Sequence, residues 1–424
     1  MARFAYSLLL WLVAPLIWLR LLWRARRQRE YLHNLGERYG FYRQSAGKLP
    51  IWVHAVSVGE TRAAQPLIEA LRARWPDRRI LLTGMTPTGR GAGRQVYGED
   101  VVQAYLPYDY PGAVDRFLRH FSPAFGVLME TEIWPNLLAA TARRNVPVLL
   151  ANARLSVRSA RGYGRVGALA RPAFAALRAV TAQTAEDAGR LRELGATNVT
   201  VCGNLKFDVA LSPQQVALGN AWRREVGARP VWLAASTRDG EELLIIAAWR
   251  RLARPDALLV LVPRHPQRFA EVAELLQREG LTVVRRSAGL PDAATQVWLG
   301  DSMGEMAAWY ALADVAFIGG SLLPLGGQNL IEAAACGCPV LIGPHTFNFR
   351  QATDDAIAAG AALRVADADQ LADELARLLR GGDELAAMRA AAARFAACHR
   401  GAAERTLAAI DAALTAPRPD RAGC

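Results

Sequence analysis

Lysine is nearly absent from this 424-residue chain: only Lys48 and Lys206 occur, so arginine carries almost all of its positive charge. Cysteine is sparse and odd in number, and Cys202, Cys336, Cys338, Cys398 and Cys424 fit neither a zinc site nor a disulfide framework. Cys336 and Cys338 stand in an Ala-rich apolar run and read as small buried thiols, which favours a reducing compartment. The six histidines show no zinc-ligand spacing. The Asp-x-Asp at Asp367-Ala368-Asp369 lies far from any Gly-rich loop and reads as a solvated turn, so no metal site is expected. No Gly-Lys-Ser/Thr follows a glycine-rich turn, which excludes a Walker loop.

What is present is apolar. Hydrophobic residues make up 52% and charged residues 21%, which excludes a disordered or fibrous chain and supplies material for two or three packed domains. The net charge is +12, and half of it falls in the first 43 residues, where eight arginines face only Glu30 and Glu37. Positive charge so concentrated, without a basic-aromatic stripe, argues against nucleic acid as a partner.

That basic end flanks an unbroken apolar run, LLLWLVAPLIWL over 8–19. Counted from Ala5 to Trp23, one helix would reach ~28 Å, close to the thickness of a bilayer's hydrocarbon. Arg24, Arg26, Arg27 and Arg29 follow the run and only Arg3 precedes it, so the positive-inside rule puts the rest of the chain in the cytoplasm. No small-residue cleavage site follows, so residues 1–29 read as an anchor with a basic collar attracted to anionic lipid. A single-pass span and an in-plane helix both fit the run.

Beyond residue 45, wholly apolar runs alternate with Ala/Leu/Arg helical stretches. In the first half they are IWVHAV (51–56), ILLTG (80–84), VVQAYL (101–106), FGVLM (125–129), PVLLAN (147–152), AVTAQ (179–183) and VTVCG (199–203). In the second they are VWLAAS (231–236), ALLVLVP (257–263), LTVVR (281–285), QVWLG (296–300), DVAFIGG (314–320) and PVLIG (339–343). Runs without alternation indicate strands buried on both faces, and strand–helix alternation makes the sheets parallel. The expected fold is α/β: two doubly wound Rossmann-like domains, 30–210 and 211–416, facing a cleft. Residues 208–220 read as the linker between them, and 417–424 as a disordered tail.

In such sheets ligands bind beyond the carboxyl ends of the strands. There Glu60 follows Ser57-Val58-Gly59, which is at once a capping box and a place for a general base. Glu130-Thr131-Glu132 ends another strand, and if the chain stays extended only one of the two acids faces the site. Lys206, at the domain junction, offers a compact charge for an anionic donor. In the second half, Arg264-His265, Asp301-Ser302-Met303-Gly304-Glu305 and Gly319-Gly320-Ser321 with Gly326-Gly327-Gln328-Asn329 follow strands. Together they read as a nucleotide site, with backbone N–H groups for a phosphate and Glu332 for ribose hydroxyls.

Taken in order, the segments WVHAVSVGE, GMTPTG, YLPYDYPGAVDRFL, METEIWPNLL, NARLSVRS, GNLKFD, LVPRHPQRF, GDSMGEM, GGSLLPLGGQNLIEAA and GPHTFNF resemble the 3-deoxy-D-manno-octulosonic acid (Kdo) transferases of lipid A biosynthesis. Two positions depart from the pattern: Gln328 stands where some members have His, and Gly84 where some have Thr. The resemblance implies an inverting, metal-independent GT-B glycosyltransferase on the cytoplasmic side of the inner membrane, without a cofactor. CMP-Kdo would be its donor substrate and a lipid A precursor its acceptor. It implies Glu60 as proton acceptor, Glu130 and Lys206 as transition-state stabilisers, and CMP on Arg264, His265, Met303, Gly304, Glu305, Asn329, Leu330, Ile331 and Glu332. Arg154 and Arg158 are candidate ligands for the acceptor's phosphates. The alternatives are a nucleotide-sugar epimerase of the same architecture, which needs no apolar end, and a non-enzymatic protein of anionic membranes.

Overall fold

A computed structural model describes residues 1–26, 28–208 and 211–416. The chain divides into two compact units, one formed by residues 1–209 with 400–424 and the other by 210–399. The first unit is built on seven parallel strands: β1 (Ile51–His54), β2 (Ile80–Gly84), β3 (Val101–Tyr105), β4 (Phe125–Met129), β5 (Val148–Ala153), β6 (Ala179–Ala182) and β7 (Val199–Val201). Their order in the sheet is β3-β2-β1-β4-β5-β6-β7. Alternate residues of β1 feed opposite faces: Trp52 packs with Phe117, Leu138 and Phe174, and Ile51 and Val53 with Leu67, Ile68 and Val127. Gly126 pairs with Trp52 in register, and a Cβ there would fall 2.5 Å from the indole, so a glycine is what lets the ring lie across β4.

The second unit repeats the scheme with β8 (Val231–Thr237), β9 (Leu258–Pro263), β10 (Val283–Arg285), β11 (Val297–Leu299), β12 (Val315–Ile318), β13 (Val340–Ile342) and β14 (Ala362–Arg364). These strands are also all parallel, ordered β10-β11-β9-β8-β12-β13-β14. Every apolar run named above forms a strand. β14 is the addition: three residues at a sheet edge, inside an Ala-rich stretch that carries no β-type run.

Three local expectations change. The apolar end is not one helix but two, α1 (Ala2–Leu12) and α2 (Ala14–Ala25), bent by 49°. Pro15, in the first turn of α2, has no N–H to continue the ladder from α1. The supposed linker is largely a helix, Pro213–Val226, capped by the Ser212 hydroxyl on the Gln215 N–H. Its Gly219 touches the helix Met306–Leu312 so closely that a Cβ would stand 2.2 Å from the Ala308 carbonyl oxygen. Residues 209 and 210, beside the expected boundary, and the tail 417–424 lie outside the described residues. The helix Ala402–Thr415 was expected in the second domain but packs on the first unit. Asp208 accepts from the Gly401 N–H at 2.7 Å and from the Ala403 N–H, capping that helix, and Arg74 pairs with Asp411 at 2.8 Å.

Each sheet has one place where the chain leaves in opposite directions. In the first it is between β1 and β4, in the second between β8 and β12. In open parallel sheets ligands bind beyond the carboxyl ends of the strands at such points.

Candidate active site

Glu60 and Glu130 stand at the first of these switch points. Glu60 lies on the short helix α3 (Val58–Ala63), directly after β1. The Ser57 hydroxyl accepts from the Glu60 N–H and donates to Glu60 Oε1 at 2.9 Å, and Oε2 accepts from the Val56 N–H at 2.9 Å. The Ser57 cap therefore forms, with Glu60 reaching back to the N–H one residue before the N-cap and not to that of Ser57. It leaves each carboxylate oxygen a further lone pair. Burial pushes the Glu60 carboxyl up to about 7, the Val56 and Ser57 hydrogen bonds resist the rise, and the charges of Glu130 and Glu132 add to it.

The sequence reading let only one of those two acids face the site. The structure brings both to Glu60, because Glu130 is not extended: its φ is +56°, a left-handed turn at the end of β4. Such a conformation costs a non-glycine residue about 1–3 kcal/mol. The Glu130 N–H nonetheless stays on the Ala151 carbonyl of β5 at 2.9 Å. Glu132, which the sequence analysis left without a role, accepts from Trp134 Nε1 at 2.9 Å, and burial raises its carboxyl. Lys206 arrives from the far edge of the sheet. After β7 the chain turns back, Leu205 donates its N–H to Asn152 Oδ1 at the end of β5, and Lys206 Nζ comes to 3.5 Å from Glu130 Oε1. Three acids and one ammonium thus gather at the carboxyl ends of β1 and β4. Arg154 and Arg158 are exposed beyond β5, and the Arg154 carbonyl receives the Thr131 hydroxyl, tying that loop to the acidic one.

In the second unit the predicted donor residues follow β9, β11 and β12, and β11, β9, β8 and β12 are consecutive neighbours in the sheet. Partial burial and the guanidinium groups of Arg238, Arg264 and Arg268 hold His265 below its ordinary pKa. Met303 is exposed, Gly304 takes φ +84°, and Glu305 is held by Arg286 at 3.1 Å and by the Ser302 hydroxyl. Asn329 Oδ1 accepts from the Ile331 N–H at 3.1 Å. Leu330 and Ile331 are buried, so only their backbone can meet a ligand, and Glu332 stands half-buried in the following turn.

One expectation fails here. The N–H groups of the Gly319-Gly320-Ser321 turn do not await a phosphate. Glu241, wholly buried, takes those of Gly320, Ser321 and Leu322 at 2.6, 3.0 and 3.1 Å, and also that of Arg238 at 3.1 Å. The anion that fills the nest is the protein's own.

The same loop contains a residue that the sequence reading missed. Arg238 follows β8 at the second switch point, and a Cβ on Gly320 would stand 3.4 Å from its Cγ and 3.2 Å from Gln328 Nε2. Arg238 therefore lies over the glycine turn beside Gln328, between the β9 and β12 loops. Among the described residues no carboxylate pairs with its guanidinium. The usable signal was position: an arginine just past a strand, in a loop that the sequence reading passed over.

Two seven-stranded parallel Rossmann-like sheets, each with its residues gathered at a switch point, define the GT-B class of glycosyltransferases. A family profile described as 3-deoxy-D-manno-octulosonic-acid transferase (kdotransferase) matches residues 33–209, and one described as glycosyl transferases group 1 matches 244–395. A 3-deoxy-D-manno-octulosonic acid transferase of Bordetella pertussis is 49% identical, covering 97% of this chain and 99% of its own. One from Haemophilus influenzae is 40% identical over 82% of this chain and 84% of its own. The chain belongs to the Kdo transferase family and is a glycosyltransferase. Among solved structures, a glycosyltransferase of Rickettsia africae (TM-score 0.59, 14% identity, 88% of this chain and 100% of that one) shares the fold. So does a UDP-GlcNAc 2-epimerase of Neisseria meningitidis (TM-score 0.56, 14% identity, 85% and 99%). At such identity the likeness concerns the fold alone. The close sequence relatives set aside the epimerase and the non-enzymatic alternatives.

Proposed function

We propose that this enzyme transfers Kdo from CMP-Kdo to a lipid A precursor of the lipid IVA type, at the cytoplasmic face of the inner membrane. Glu60 is the proton acceptor. Its carboxylate removes the proton of an acceptor hydroxyl as that oxygen bonds to the anomeric carbon of Kdo. The bond from that carbon to the phosphate oxygen breaks with its electron pair, and CMP departs. The configuration inverts.

The observation that carries this reading is the Glu60 carboxyl itself, held near 7 at a strand-end switch point beside two further acids. A base so poised is about half ionised at neutral pH and strong enough to take a proton in the transition state. Glu130 stabilises positive charge developing on the sugar ring, and Lys206 holds Glu130 in place while offering an ammonium to the donor's anionic groups. CMP lies on Arg264 and His265, on the Met303–Glu305 turn, and on the segment Asn329, Leu330, Ile331 and Glu332. Arg154 and Arg158 meet the acceptor's phosphates, and residues 1–29 keep the enzyme at the membrane that carries that acceptor.

The test is direct. The purified chain, given CMP-Kdo generated in situ and a lipid A precursor, yields a lipid heavier by whole Kdo units in the mass spectrum. A soluble sugar as the only acceptor used, or hydrolysis of CMP-Kdo without transfer, rejects the reading.

A further inference from the structure

The apolar end has two sides, and they face different surroundings. One side is fixed to the first unit by polar contacts in the middle of α1. Ser7 Oγ and the Asn136 side chain exchange hydrogen bonds at 3.0 and 3.3 Å. The Tyr6 hydroxyl meets the Asp109 carboxylate, and Tyr110 donates its hydroxyl to the Leu10 carbonyl at 3.1 Å. Trp11 packs on Tyr110 with ring centroids 4.6 Å apart, and Trp18 of α2 stacks on Tyr39 at 5.8 Å. Asp109 is itself buried, its oxygens accepting from the Asn136 and Leu137 N–H groups at 2.9 and 2.8 Å.

The other side is turned outward. Phe4, Leu8, Leu12, Leu16 and Leu19 each expose half or more of their surface, a run of large apolar side chains concentrated on these two helices. Arg3, Arg20 and Arg26 are exposed on the same two helices and their end. An apolar face rimmed by arginines is complementary to an anionic lipid surface.

Geometry then decides the mode. At ~1.5 Å per residue, α1 and α2 reach about 16 and 18 Å, each well short of the ~30 Å of hydrocarbon, and the 49° bend prevents them from adding end to end. To span, residues 6–11 would have to carry Asp109 and Asn136 into hydrocarbon or abandon them. We propose that α1 and α2 lie in the plane of an anionic bilayer as a bent, non-spanning pair, pinned by Ser7, Leu10 and Trp11 to the first unit. The helix Pro135–Arg143 that receives Ser7 begins three residues after Glu132, so the pair sets the depth of the acidic loop relative to the headgroups. This proposal deepens the membrane placement given above and requires nothing of the chemistry.

The test uses the full chain with Cys336, Cys398 and Cys424 replaced by serine, and spin labels placed singly at Leu8, Leu12, Leu16 and Leu19. In vesicles containing phosphatidylglycerol, all four labels report one shallow depth, near the boundary of headgroups and acyl chains. Depth that changes steadily along the series and passes the bilayer centre overturns the in-plane mode while leaving membrane attachment intact. Labels that remain in water overturn attachment as well. Flotation supplies the second reading. Leu12→Glu with Leu16→Glu, two exposed positions, lowers binding to these vesicles at least about tenfold and leaves the circular dichroism unchanged. Zwitterionic vesicles bind the unaltered chain at least about tenfold more weakly than anionic ones, and equal binding to both rejects the anionic partner.

Discussion

Glu130 Oε1 stands 3.5 Å from Lys206 Nζ, although the two residues follow strands at different places in the sheet. Glu130 also bears on Glu60, raising its carboxyl. The three groups therefore act as one electrostatic unit, and the pH dependence of the reaction reads it out. With Glu60 as the proposed base, which acts as an anion, kcat/KM is expected to rise with pH through about 7 and then level. Glu130→Gln removes a like charge from beside Glu60 and moves that limb to lower pH. Lys206→Met leaves the Glu130 charge uncompensated and moves it to higher pH. Rate profiles for the three proteins check this, and limbs that move together, or not at all, reject the coupling.

Replacing Glu60 by Gln keeps an acceptor for the Val56 N–H and so preserves most of the cap, while removing the proposed base. The expected loss is about 10²–10⁴-fold in kcat. Thermal stability and CMP binding, measured by calorimetry, stay close to those of the unaltered protein. Full turnover by Glu60→Gln would reduce the residue to a helix cap.

Arg238 should serve the donor's anionic groups. Truncation to Ala is expected to raise the KM for CMP-Kdo and the Kd for CMP by about 10- to 100-fold, the range of one lost charge-assisted hydrogen bond of about 1.5–3 kcal/mol. Lys should restore part of the affinity. An unchanged Kd for Arg238→Ala places the residue outside the site.

Glu241 makes a different prediction because its charge is structural. Both carboxylate oxygens accept backbone N–H groups, Arg238 and Gly320 on one and Ser321 and Leu322 on the other. Gln can satisfy only one side, and its amide N–H₂ must then face donors. Glu241→Gln is expected to cost about 3–5 kcal/mol, seen as a lower denaturation midpoint for the second unit, with CMP affinity lost alongside. A variant of native stability would show that the nest does not need its anion.

Much of this protein is written locally. Runs such as FGVLM and ALLVLVP have no polar face to turn to water, so they form strands covered on both sides, and the helical stretches between them leave parallel order as the connection that fits. Ser57 and Glu60 meet through a spacing of three residues, which is why their cap could be read directly. β14 escaped because three residues in an Ala-rich stretch carry too little pattern. The helix 213–226 escaped because its polar, proline-containing start resembles a connection until Gly219 is seen against Ala308.

What the sequence determined alone was thirteen of the fourteen strands, the residue types that stand at their carboxyl ends, and an apolar segment too basic at one end to be ordinary core. Tertiary structure decided how charges meet. The left-handed turn at Glu130, the return of the chain from β7 to bring Lys206 back, and the capture of the glycine turn by Glu241 all join residues remote along the chain. Hydrogen bonds and ion pairs act through space over a few ångströms, and no spacing in a linear sequence encodes which distant groups a fold brings within that range.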